Sequence, residues 1–269
     1  MWRRLCIVGS LLVCCGCALP SHQDLLPDDQ RLIREQLVIH SDFALARHHR
    51  LLDELVARRQ EIANQLQLPI SDERIYIYLF ATREDYRNYF TDRFPFYPDR
   101  RAFFIESDTR LTVFAHWGEH VAEDLRHEVA HGYLHAVVPN LPLWLDEGLA
   151  EYYEVKRGQQ GFHAAHLQEL DRQRRQRQWQ PDLERLESLT TVSEMSLTDY
   201  AEAWAWTHWL LETTPQRRTL LCDYLARLRT TGAAGPLSRA LRSQQAVSPR
   251  ALQGHLQRLA DRMGGEHVQ

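Results

Sequence analysis

The stretch from Arg126 to Glu154, RHEVAHGYLHAVVPNLPLWLDEGLAEYYE, sets two histidines four residues apart and then meets two prolines. Four residues along an α-helix is a little over one turn, so His127 and His131 project from one face within reach of a single ion. Glu128 lies beside that face, where a carboxylate can take a proton from water. Pro139 and Pro142 end the helix, because proline cannot continue it and biases its predecessor away from the helical region. A second helix is therefore expected from about Leu143, carrying Glu147 and, one turn on, Glu151.

His127-Glu128-Val129-Ala130-His131 has the HExxH pattern of zinc-dependent hydrolases. With 14 histidines in 269 residues, a chance match arises on the order of a few per cent of the time, and a surface helix with two solvated histidines has the same letters. A catalytic zinc takes three protein ligands and keeps a fourth position for water. His135 continues the four-residue spacing, but on a straight helix it lies about 12 Å along the axis from His127, too far to share one small ion. The metzincin pattern needs a histidine six residues after the second ligand, and position 137 is valine. Glu147 on the second helix is the better third ligand, approaching from another direction. Glu151, on the same face, is then placed to accept a ring N–H from a ligand histidine.

HEVAH followed by WLDEGLAEYYE resembles the gluzincin, or peptidase MA-like, zinc metallopeptidase superfamily, and within it the small bacterial lipoprotein members. The resemblance covers about residues 37–212 and is strongest in 126–154. It implies that His127, His131 and Glu147 bind Zn2+, that Glu128 is the general base, and that Glu151 supports a ligand. A Tyr-Ala-x-x-Trp-Ala segment at Tyr200 is similar to one that packs over the site in these families. The Tyr200 hydroxyl there would stabilise an oxyanion, with a plain core aromatic as the equal alternative. In such enzymes the strand before the zinc helix is a sheet edge that pairs with extended substrate, so the strand at 111–115 is expected at the edge.

At 44% hydrophobic and 10% aromatic the chain can bury a substantial core. A formal charge of −4 gives no reason to expect nucleic acid. Arg3 and Arg4 precede an apolar run from Leu5 to Leu19 that is short for a membrane span and reads as a signal peptide. Gly16-Cys17 resembles a lipobox, with Cys14 where leucine is usual. Cys17 is accordingly expected as a lipidated N-terminus, and the envelope as the location, on the outer membrane facing the periplasm. Four of the five cysteines lie in residues 1–20, so the processed chain would keep only Cys17 and Cys222, the latter expected as a buried core thiol.

The expected organisation is a signal peptide over 1–16, a tether over 17–36, an α+β zinc-binding lobe over 37–155 and a helical C-terminal lobe of the same domain over 156–269. Apolar spacing predicts a long amphipathic helix over 43–66, a half-buried strand at 74–80, a short helix at 82–90 opened by Thr82, and strands at 101–105 and 111–115. The zinc helix is expected from about Gly118. His40, His48, His49, His116 and His120 are expected to be bystanders, and the arginines of 172–177 a solvated helix face. Ser248-Pro249 would open a last helix with Leu252, Leu256 and Leu259 on one face.

The fold class is thus α+β: a small mixed sheet with long helices, the zinc-binding helix at the sheet edge and a C-terminal helical lobe. The expected activity is hydrolysis of a peptide or protein substrate by a zinc-activated water, with Glu128 as base, in a protein held to a membrane by its N-terminal lipid. A noncatalytic zinc-binding envelope lipoprotein and a zinc hydrolase of non-peptide amides or esters remain as rivals.

Overall fold

The computed structural model describes residues 26–96, 98–243 and 249–266. The expected signal peptide, Cys17 and Ser248 lie outside them. Within this range the chain forms one five-stranded mixed sheet and a set of helices. Strand β1 (Gln30–Arg34) turns back antiparallel onto β2 (Leu37–Ser41), and helix α1 (Arg50–Leu66) crosses to β3 (Ile75–Phe80), parallel to β2. Helix α2 (Arg83–Arg93) leads to the hairpin of β4 (Ala102–Ser107) and β5 (Arg110–His116). β5 inserts beside β3 in parallel, so the sheet order is β1-β2-β3-β5-β4.

The letters IYIYLF in β3 explain the layering. A strand sends alternate side chains to opposite faces. Ile75, Ile77 and Leu79, with Leu37, Ile39, Leu111 and Val113, join the main core beneath α1 and the helix that carries His127 and His131. Tyr78, Phe80, Phe103 and Phe114 face the other way and pack with Tyr86 and Phe90 of α2 in a second, aromatic core. Both faces are covered, and so β3 is buried along nearly its whole length, where half-burial was expected.

The motif helix α3 (Val121–His135) packs on β5 and β4 at the end of the sheet. After it, Asn140 takes a left-handed backbone (φ 56°) and its side chain donates to Gly232 O at 3.0 Å, which fixes the turn into α4 (Leu143–Glu154). The C-terminal lobe comprises α5 (Ala164–Arg175), α6 (Leu183–Ser188), a 3-10 turn at Val192–Glu194, α7 (Leu197–Glu212), α8 (Pro215–Thr231), α9 (Leu237–Ser243) and α10 (Pro249–Glu266). Helix α7 lies along α4, and Gly148 permits the approach: a β-carbon there would stand 2.5 Å from Ala203 O.

Several expectations are corrected. Residues 30–34, expected as part of a tether, instead form a strand that pairs with β2. The long helix begins at Arg50, capped by His49, whose Nδ1 accepts Leu51 N–H at 3.3 Å; residues 43–49 are not helical. The motif helix begins at Val121, not Gly118. Strand β5 is interior, and the edge beside the motif helix is β4. No described helix is long and apolar enough to cross a membrane.

Candidate metal centre

The turn at 139–142 brings α4 back across α3, so that Glu147 meets both motif histidines. His127 Nε2 and His131 Nε2 are 3.2 Å apart, and Glu147 Oε2 lies 3.6 and 3.8 Å from them. Ligand atoms placed about 2.0–2.2 Å from a tetrahedral zinc stand about 3.3–3.5 Å from one another, which is the size of this triangle. Glu147 is 4% exposed, and its Oε2 is buried with no hydrogen-bond partner. Buried carboxylate oxygens are ordinarily satisfied, so an orphaned one facing two imidazole nitrogens fits a cation as its missing partner.

The far nitrogen of each motif histidine has a carboxylate. His131 Nδ1 lies 2.8 Å from Asp146 Oδ1, and His127 Nδ1 lies 2.9 Å from Glu154 Oε2. Each carboxylate takes a ring N–H and so leaves Nε2 as the lone pair facing Glu147. The supporting residues are therefore Asp146 and Glu154, and the expectation for Glu151 is corrected. Its Oε2 instead holds His166 Nε2 at 2.6 Å. On α4 the ring N–H groups happen to point at the residues one before and seven after Glu147, while Glu151 turns toward α5.

Asp146 and Glu154 each serve two histidines. Asp146 Oδ2 is 2.9 Å from His135 Nε2, and His135 Nδ1 is 2.6 Å from Glu106. Glu154 Oε1 is 2.6 Å from His163 Nε2. Burial works to raise both carboxyl pKa values, but the flanking histidines win and hold both well below the usual range. For His135 burial opposes protonation, and Asp146 with Glu106 overcomes it, lifting the ring to about 9. Two buried arginines fix the end of α4 that carries Glu154: Arg126 donates to Glu154 O, and Arg58 to Val155 O at 2.7 Å. Cations at the carboxyl end of a helix also oppose its dipole.

Glu128 is half-buried next to this triangle. Burial raises its pKa and Glu147 adds to the rise, while His127, His131 and Arg100 oppose it. Tyr200, on the first turn of α7, is half-buried with its pKa raised by burial and then by the Glu147 charge. Its hydroxyl oxygen accepts from Arg100 at 2.8 Å, which leaves its own proton free to donate elsewhere. Phe104 of the edge strand β4 stacks on His131 with ring centroids 5.8 Å apart.

The structure thus gathers His127, His131 and Glu147, keeps Glu128 beside them and holds Tyr200, on Arg100, within reach of the Glu147 charge. Residues that sequence reasoning missed are Arg100, Asp146, Glu154, His163 and His166. The two HxxH/ExxE pairs, His163-Ala-Ala-His166 and Glu151-Tyr-Tyr-Glu154, were a visible signal for the last three. His135, excluded from the first triangle by its distance along the helix, makes a grouping with His131 and Asp146. In all, four groupings of histidine and acidic side chains have ligand atoms close enough to hold a metal ion among the described residues.

A family model described as "Protein of unknown function (DUF1570)" matches residues 121–232. That segment runs from the first residue of α3 to the Gly232 that caps α8, so it contains the triangle, its supporting carboxylates and Tyr200. No curated protein matches the chain.

Proposed function

We propose that the protein is a zinc metallopeptidase of the gluzincin type. The observation that carries this reading is the triangle of His127 Nε2, His131 Nε2 and Glu147 Oε2, whose buried carboxylate oxygen makes no hydrogen bond and has only the two imidazole nitrogens, at 3.6 and 3.8 Å, facing it. Zinc held by these three would lower the pKa of a water toward about 7 and polarise a substrate carbonyl. Glu128 is in place to take the proton of the attacking water and hand it to the leaving amine. Tyr200, with Arg100 on its oxygen, supplies an O–H for the carbonyl oxygen as charge develops there. Edge strand β4, paired on one side only, offers backbone groups to an extended peptide alongside the triangle.

A carboxylate between two ligands, and a ligand set of two histidines and one glutamate, favour catalysis over a purely structural site. The test is Glu128→Gln, assayed by mass spectrometry on a mixture of unstructured peptides. Loss of a general base costs typically 10²–10⁴-fold, and a fall at least that large with zinc retained is expected; cleavage at the wild-type rate would contradict the assignment. The same reading keeps the protein on the bacterial envelope through Cys17, and Cys17→Ser should release it from membranes. Membrane association unchanged in that variant would remove the lipid anchor from the account.

A further inference from the structure

We propose that Glu151, His163 and His166, with Glu154 beside them, form a second site for a first-row divalent cation. Of the four groupings that can hold a metal, two reuse the motif histidines. His131 with His135 and Asp146, and His127 with Glu151 and Glu154, present the Nδ1 atoms that already meet carboxylates. A neutral imidazole has one lone pair, and those of His127 and His131 face Glu147. The set on Glu151, His163 and His166 shares no residue with the first triangle.

Its donors are gathered at one place, with ligand atoms within 4.8 Å of one another. His163 and His166 stack with ring centroids 3.9 Å apart and planes 24° from parallel, and both Nε2 atoms approach Glu151, His163 Nε2 reaching Glu154 as well. His166 Nε2 is 2.6 Å and His163 Nε2 3.8 Å from Glu151 Oε2, and His163 Nε2 is 2.6 Å from Glu154 Oε1. All four side chains are at most 17% exposed. One divalent ion would place a positive charge between the two carboxylates and leave both rings neutral. Two imidazoles with carboxylate suit zinc and its first-row neighbours, not calcium or magnesium, which prefer oxygen.

The backbone holds the donors there. Gly161 has φ 68°, and a β-carbon on it would lie 2.0 Å from the Tyr152 ring. Trp204 Nε1 donates to Gly161 O at 2.8 Å. This pins the link between α4 and α5 two residues before His163. Taking the ion on Nε2 of His163 moves that ring's proton to Nδ1 and gives up the 3.3 Å contact from His166 N–H.

Glu154 connects the two sites, with Oε1 at His163 and Oε2 at His127. A carboxylate and an imidazole ring thus separate the ions, which rules out the shared substrate oxygens of two-metal centres spaced about 3.5–4 Å apart. The second ion is a positioning device: by fixing Glu154 it fixes the His127 ring with Nε2 toward Glu147. This consequence rests on the first site being a metal site; the second site itself does not.

The test is zinc stoichiometry and affinity on the purified chain, by elemental analysis and competition with a chelator, for wild type, His166→Gln and His131→Ala. The glutamine keeps a hydrogen bond to Glu151 but has no imidazole lone pair, so a structural role for His166 would leave metal content unchanged. About two zinc ions per chain are expected in wild type and about one in each variant. The ion left in His166→Gln should bind about 10–100-fold more weakly than in wild type, as when a partner of a metal-bound histidine is lost. One ion in wild type, kept by His166→Gln at unchanged affinity, overturns the second site and leaves the peptidase reading standing. Two ions kept in His131→Ala, with one lost in His166→Gln, would instead refute the first site alone. If His166→Gln does not fold, two distinct cobalt absorption sets on titrating wild-type protein support the second site, and a single set overturns it.

Discussion

Glu147 and Glu202 are buried carboxylates on two helices that pack against each other, α4 and α7, and they have opposite surroundings. Glu202 is 0% exposed and receives Trp179 Nε1 at 2.8 Å, Asp182 N at 2.6 Å, Arg185 at 3.1 Å and Trp206 Nε1 at 3.2 Å. Glu147, 4% exposed, keeps one oxygen without any donor. A satisfied buried carboxylate is architecture: it ties α6 and the Trp179 segment to α7. A buried carboxylate oxygen without a hydrogen bond is costly in the protein alone, and one that faces two imidazole nitrogens fits a bound cation.

The largest effect expected is on the satisfied side. Glu202→Ala leaves two buried indole N–H groups, and the Asp182 backbone N–H, without their acceptor, and should cost about 3–5 kcal/mol, read as a lower midpoint in urea unfolding. A variant as stable as wild type would mean that the Glu202 hub is not holding the helical lobe.

Next in size is the contact that brings the two helices together. Gly148→Ala puts a methyl group against Ala203 O and Thr207 and should destabilise by about 1–3 kcal/mol through overpacking. Because Glu147 is the preceding residue, zinc affinity should fall as well. Unchanged affinity would show that the α4–α7 approach does not set the ligand's position.

A centre satisfied only in one charge state sharpens the contrast. His208 and His255 are buried and lie 3.0 Å apart. Burial, with Arg262 adding, depresses His208 to about 4; burial, then His208 and three arginines, depress His255 to about 3. The folded protein keeps both neutral while the unfolded chain takes up protons below about 6.5. Their contribution is therefore intact above that pH and shrinks as the pH falls toward 4, by about 1.4 kcal/mol per pH unit for each histidine. His255→Gln should flatten the urea stability profile between pH 6.5 and 4 by that amount. An unaltered slope would contradict neutral burial.

The smallest effect tests the unsatisfied side. In chelator-treated protein, Glu147→Gln should change stability by less than about 1 kcal/mol, since Oε2 has no hydrogen bond to lose and only the longer 3.6 and 3.8 Å contacts to the motif histidines. Added zinc at a thousand times its dissociation constant should then stabilise wild type by about 4 kcal/mol and the variant much less. A large loss in the metal-free state would reveal a donor to Glu147 that the geometry lacks.

The first triangle was legible in the sequence because each of its parts is local. A four-residue helical spacing places His127 and His131, and two prolines return the chain so that Glu147 arrives. Asp146 and Glu154 were not legible as supports, since which ring nitrogen meets which carboxylate depends on the crossing of α3 and α4. Strand β5 read as an edge by resemblance, yet its pairing with β3 is a contact between distant segments that its own letters do not encode. The alternation in β3 was visible, but not that α2 covers its aromatic face. Residues 30–34 lack the alternating apolar pattern of a strand, and their pairing comes from β2 beside them.

The most direct measurement is a crystal structure of the zinc-loaded protein with anomalous data at the zinc edge. The expected result is a peak about 2.0–2.2 Å from His127 Nε2, His131 Nε2 and Glu147 Oε2 together, with Asp146 and Glu154 still on the Nδ1 atoms. No peak within the triangle, or one that leaves Glu147 Oε2 unbound, would contradict the metal centre.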